Sequence, residues 1–123
     1  MTLIEAINRV DALKPNSYSQ EEKISWLSTL DGMIVRDVIR KYDGGEDFTF
    51  DGYTADTPLD TDLIVKEPYE EMYICWLESK IDYNNAEYAR YNNSVTRYND
   101  IYMEFARNYN RNHMPIGTAI KYF

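Results

Sequence analysis

Ile74-Cys75-Trp76-Leu77-Glu78-Ser79-Lys80-Ile81-Asp82-Tyr83-Asn84 opens the stretch that decides the fold. Ile74, Leu77, Ile81, Asn84, Tyr88, Tyr91, Val95, Tyr98, Tyr102, Phe105 and Tyr109 follow one another at alternating spacings of three and four. That is the period of an α-helix with one apolar stripe. Taken literally it is a single helix from 68 to about 112, very long for a chain of 123 residues. Asn92-Asn93-Ser94 offers a break, because Asn or Ser can cap a new helix by accepting from its free first-turn amides. The favoured reading is therefore a hairpin of two helices, 68–91 and 94–112. Glu67-Pro68 opens it, with proline in the first turn where a missing amide costs nothing.

Working outward, two further helices carry their own start signals. Thr2-Leu3-Ile4-Glu5 has the form of a capping box, and Leu3, Ile7 and Val10 follow at helical spacing to Lys14-Pro15. Ser19-Gln20-Glu21-Glu22 repeats the signal ahead of Ile24, Leu27, Leu30, Ile34, Val35 and Val38. The predicted helices are 2–14 and 19–42, the second with a bend at Asp31-Gly32 and a stop at Asp43-Gly44-Gly45. Leu27, Ile34, Val38, Trp76, Leu77, Ile81, Val95 and Phe105 are expected in the core. Residues 43–66 differ: seven aspartates and glutamates, Asp47 and Asp51 among them, occur before Lys66, punctuated by Phe48, Phe50 and Tyr53. This reads as an acidic, partly extended loop pinned by its aromatics, with room for a short strand or hairpin. The fold class expected is mainly α: one helical domain over 1–123, a small bundle with a long C-terminal helix or helical hairpin. An extended, apolar tail over 113–123 ends in Ile120, Tyr122 and Phe123.

Composition narrows the function. Thirteen Lys and Arg against 21 Asp and Glu give a net charge of −8, the wrong sign for wrapping nucleic acid. One cysteine, Cys75, excludes an internal disulfide and suits a reducing setting. No basic segment precedes an apolar run at the N-terminus, and no run approaches a membrane span, so a soluble protein of the cell interior, or one assembled there, is expected. His113 is the sole histidine, which excludes a histidine-built zinc or di-iron cage; beside a helix end it is expected to meet free carbonyls. Cys75 between Ile74 and Trp76 reads as a small hydrophobe. The acidic segment lacks the spacing of a calcium-binding EF-hand loop. Glu78 and Asp82, one turn apart, read as a solvated face. No phosphate loop or nucleophile elbow is present, so neither catalysis nor a cofactor is expected.

Twelve tyrosines are the unusual count, and tyrosine suits half-buried and interfacial positions. Arg90-Tyr91 and Arg97-Tyr98 recur seven residues apart, with Arg111 in the same heptad position as Arg90 and Arg97. Basic and aromatic side chains together can bind single strands, but core tyrosines beside a solvated arginine stripe explain both features and are the favoured reading. The charge is also segregated, acidic over 43–82 and mildly basic beyond Ala86. Such a distribution suits head-to-tail self-association, with Asp47 and Asp51 of one subunit facing Arg90, Arg97 and Arg111 of the next. Ile120, Tyr122 and Phe123 would add apolar area to that contact.

Several runs resemble a known group. Asn8-Arg9-Val10-Asp11-Ala12-Leu13-Lys14-Pro15-Asn16, Glu22-Lys23-Ile24-Ser25-Trp26-Leu27 and Glu67-Pro68-Tyr69-Glu70-Glu71-Met72-Tyr73 resemble small structural proteins of phages and prophages of gut Firmicutes. Tyr91-Asn92-Asn93-Ser94, Tyr109-Asn110-Arg111 and His113-Met114-Pro115 resemble the same group. The likeness is to the head–tail connector (head-completion or adaptor) family. It implies a non-enzymatic virion protein, found in the host cytoplasm during assembly. Such a subunit forms a ring on the portal as template and contacts portal and tail-side proteins, with no membrane. No motif of that family aligns residue by residue with a ring contact here. The alternative reading is a nucleic-acid-associated packaging or regulatory protein that uses the Arg/Tyr-rich C-terminal helix.

Overall fold

The computed structural model describes residues 1–42 and 44–113; Asp43 and the tail 114–123, with Ile120, Tyr122 and Phe123, lie outside them. The protein is mainly helical. Among the described residues four α-helices follow in order: α1 Leu3–Leu13, α2 Gln20–Asp37, α3 Glu71–Asn84 and α4 Tyr88–Asn112, with a short 3₁₀ turn at Ile39–Lys41 after α2. Helix α1 starts where its capping box places it. The Thr2 hydroxyl accepts from the Glu5 N–H at 3.2 Å and the Glu5 carboxylate accepts from the Thr2 N–H at 3.1 Å. The next amides, Leu3 and Ile4, donate to the carbonyls of Thr61 and Leu59, so the acidic loop completes the helix end. Ser19 caps α2 by accepting from the Glu22 N–H.

Helices α3 and α4 form the expected hairpin, but the chain turns at Asn85-Ala86-Glu87, ahead of Asn92-Asn93-Ser94. The Ala86 N–H donates to the Tyr83 carbonyl and the Glu87 N–H to the Asp82 carbonyl. Together they form the pair of reversed bonds that closes a helix around a left-handed residue. Ala86 holds that conformation at φ +59°, a position usually given to glycine, which is why the turn leaves no composition signal. Asn92 and Asn93 are exposed helix interior, and Ser94 is buried. Two other boundaries move. Helix α3 begins at Glu71, not at Pro68, because residues 66–70 form a turn in which the Tyr69 N–H donates to the Lys66 carbonyl. Helix α2 runs without interruption through Asp31-Gly32 and ends at Asp37, short of residue 42. Asp31 turns inward, and an added Cβ at Gly32 would stand 4.0 Å from the Phe50 ring, an ordinary contact with the loop.

The core gathers Leu3, Val10, Leu27, Ile34, Val38, Leu77, Ile81 and Phe105, all buried, with Leu63, Val65 and Tyr53 contributed by the loop. Trp76 and Val95 are only half-buried, so these two core assignments are corrected: both stand at the mouth of a groove. The loop is irregular; among the described residues its one bridge joins Asp62 to Thr2, with no strand or hairpin. Tyr53 pins it, while Phe48 stays 41 % exposed. Among the described residues no helix is long and apolar enough to cross a membrane.

Two buried aspartates join the elements. Asp31 Oδ1 accepts from the Tyr73 hydroxyl at 2.6 Å; Oδ2 accepts from the Tyr53 hydroxyl at 2.5 Å and the Ile64 N–H at 3.2 Å. Burial lifts the Asp31 carboxyl above the ordinary aspartate range, and these three donors hold it back. Asp82, fully buried, accepts from Lys14 Nζ at 2.5 Å and from the Ser94 hydroxyl at 2.8 Å. Asp82 thereby ties the end of α1 to both arms of the hairpin. Glu78 is largely covered too and faces Arg97 at 3.7 Å. The two acids are therefore not a solvated face: each turns toward a cation or hydroxyl that a neighbouring helix supplies.

Candidate interaction surface

Trp76, Lys80 and Tyr83 are spaced four and three apart on α3 and share one of its faces. With Tyr91 and Val95 from α4 and Trp26 from α2 they line a groove of about 330 Å³ beside the hairpin turn. The Trp76 indole N–H donates to the Trp26 carbonyl at 2.8 Å, fixing the ring at the surface rather than in the core. Lys80 Nζ stands 4.5 Å from the centre of that ring, close enough for a cation–π contact. Tyr83 meets Tyr91 edge-on at 5.3 Å and Tyr88 at 6.1 Å, and Tyr18 meets Trp26 edge-on at 5.5 Å. The Tyr18 hydroxyl also donates to Asn85 Oδ1 at 2.7 Å, bracing the turn.

Tyr83 and Tyr88 remain 56 % and 59 % exposed. Large aromatic side chains held by their neighbours yet open to water are the composition of binding hot spots, because covering them removes much apolar area at little cost in side-chain entropy. A second groove, of about 340 Å³, lies between the 68–69 turn and α4. It offers one aromatic ring, Tyr69, and is lined besides by Pro68, Ile101 and the acids Asp100 and Glu104.

The residues singled out from the sequence are dispersed. Arg90, Arg97 and Arg111 are exposed along α4; Arg90 lies 3.1 Å from Glu87 and Arg97 3.7 Å from Glu78. Arg111 lines a shallow notch with Glu104 and Arg107. Within the Arg–Tyr repeat Tyr98 is buried and Tyr91 half-buried, while Arg90 and Arg97 are exposed. Asp47 and Asp51 are exposed on the acidic loop. His113 Nδ1 lies 2.9 Å from the Tyr109 carbonyl, which can only accept, so that nitrogen carries the proton, and its ring stacks on Tyr109. Cys75 packs in the core, where burial pushes its thiol up.

Reading the sequence missed Trp26, Lys80 and Tyr83 and assigned Trp76 to the core. The available signal was that Tyr83 falls off the heptad seam, so its ring has no core position to fill. In comparisons with known proteins, no family model, no curated protein and no solved structure matches the chain.

Proposed function

We propose that this chain is a non-enzymatic structural subunit of a phage particle, a head–tail connector that assembles as a ring under the portal. The observation that carries the reading is the open aromatic groove at the hairpin turn, a surface suited to protein and presented by a rigid pair of helices. The sequence resemblance to connector proteins supplies the setting. Among the described residues helix α4, 25 residues and roughly 37 Å long at 1.5 Å per residue, packs mainly on α3, with Asn92, Asn93, Arg97, Asp100 and Glu104 exposed along it. The partners of this reading are a second copy, the portal and a tail-side protein, and its location is the virion.

The test is electron microscopy of the particle, with this chain fitted at the portal–tail junction. A ring of this fold below the portal is the expected result, and a junction fully occupied by other chains rejects the reading. The alternative, a nucleic-acid-associated packaging or regulatory protein using the Arg/Tyr-rich α4, is less favoured because Tyr98 is buried and Tyr91 half-buried, which leaves fewer rings open for stacking on bases.

A further inference from the structure

Helix α2 separates two features that fit one another. On one side, the Ser28 hydroxyl accepts the Tyr53 N–H at 2.9 Å and holds the acidic loop. Trp26, two residues earlier and so about 200° away around the helix, lines the aromatic groove. The loop therefore cannot fill the groove of its own chain without leaving its anchor.

The loop presents a defined shape. The Phe48 N–H donates to the Gly45 carbonyl at 3.0 Å, closing a turn with Glu46 and Asp47 at its centre. The turn is fixed to the body at Gly45, where an added Cβ would stand 2.1 Å from the Ile39 carbonyl oxygen. Glu46, Asp47 and Phe48 are all exposed. Among the described residues none of these acids makes an ion pair, and neither does Lys80, whose ammonium rests on Trp76.

We infer that the chain associates head to tail. The Glu46-Asp47-Phe48 turn of one copy enters the groove of Trp26, Trp76, Tyr83 and Tyr91 on the next, with the Phe48 ring among the aromatics and the carboxylates on Lys80. Charge and shape both argue for a second copy: the groove supplies rings and one uncommitted cation, and the turn supplies one ring and two uncommitted anions. Arg90 and Arg97 are the weaker receptor for the acidic loop, since each already faces a carboxylate of its own chain. A contact between different surfaces repeats, and it closes into a ring or runs on as a filament according to the rotation per subunit. It would serve the ring of the connector reading, but it stands on observations of its own.

Sedimentation velocity of the full chain over rising concentration tests it. The wild type is expected to pass beyond dimer. Phe48→Ser and Lys80→Glu should each weaken association, the first by about ten- to a hundredfold from the lost burial of one ring. Mixed in equal amounts, the two variants retain one intact turn and one intact groove between them, so they should form dimers and stop there. Trp26 and Trp76 are the only tryptophans, so emission should change on mixing. A second pair, Glu46→Lys/Asp47→Lys with Lys80→Glu, should likewise associate only when mixed. Circular dichroism confirms that each variant folds. A wild type that stays monomeric throughout, a Phe48→Ser chain that assembles as the wild type does, or a mixture that gains nothing overturns the inference. Head-to-tail assembly in solution without this chain at the portal junction would instead reject the connector reading alone.

Discussion

Asp82 is the side chain on which the hairpin depends. Its two oxygens meet Lys14 from α1 and Ser94 from α4 in a site closed to water. Burying an anion is costly unless its acceptors are filled, so removing either partner exposes that cost. Asp82→Ala should destabilise by roughly 3 kcal/mol, since Lys14 is left largely covered and unpaired. Ser94→Ala should cost about 1–2 kcal/mol, because the carboxylate keeps Lys14 but loses one donor. A urea-denaturation series on both variants checks the order; equal and negligible effects would show that neither bond matters to folding. The sequence held these residues in view with the wrong role. Asp82 was legible as an acid one turn from Glu78 and Ser94 as a cap, but which way either points depends on a helix far away in the chain.

At the level of the element, the position of the hairpin turn is the feature to test. Ala86 adopts a left-handed conformation that costs an L-residue with a Cβ about 1–2 kcal/mol and costs glycine little on steric grounds. Ala86→Gly should therefore stabilise the protein by about 1 kcal/mol, less the added freedom of glycine in the unfolded chain. The shift should appear in the denaturation midpoint with the slope unchanged. Asn93, exposed inside α4, makes the complementary test. Asn93→Ala should stabilise by about 0.5 kcal/mol as a gain in helix propensity, whereas a cap at that position would lose about 1 kcal/mol. In the same helix, Phe105 packs edge-on against Tyr69 at 5.8 Å. Phe105→Ala should cost about 3–5 kcal/mol, as core truncations of an aromatic ring do.

Across the whole molecule, buried hydroxyls set the response to base. Tyr53 and Tyr73 are pushed far above the ordinary tyrosine range, first by burial and then by the carboxylate of Asp31. Tyr98 is raised by burial as well. A group whose folded value is raised gives stability that is fully present below its unfolded value and is lost as pH climbs from there toward the folded value. For tyrosine that window opens near pH 10. Base unfolding should therefore begin above about pH 10, with tyrosinate absorbance from these three rings appearing together with loss of helix rather than before it. Tyr73→Phe should shrink the cooperative step. Asp31 has the same sign: its raised value gives stability present below the ordinary aspartate range and lost as pH rises through the folded value.

The sequence by itself determined the helical class, the start of α1 and α2, and six of the eight core positions it named, while it left one long helix and a hairpin both open for 68–112. Those follow from the period of the apolar residues and from caps such as Thr2 and Ser19, which act within a turn or two of their own position. Only the tertiary structure decided where the hairpin turns, that Asp31 and Asp82 lie inside, and that Trp76 stands at a groove with Trp26, 50 residues away. An alanine in a left-handed conformation leaves no trace in composition. A buried acid reads like a surface acid until the chain brings its donors: Tyr53 and Tyr73 to Asp31, Lys14 and Ser94 to Asp82. Local signals are written in neighbours along the chain, whereas the burial of a polar group is settled by neighbours in space.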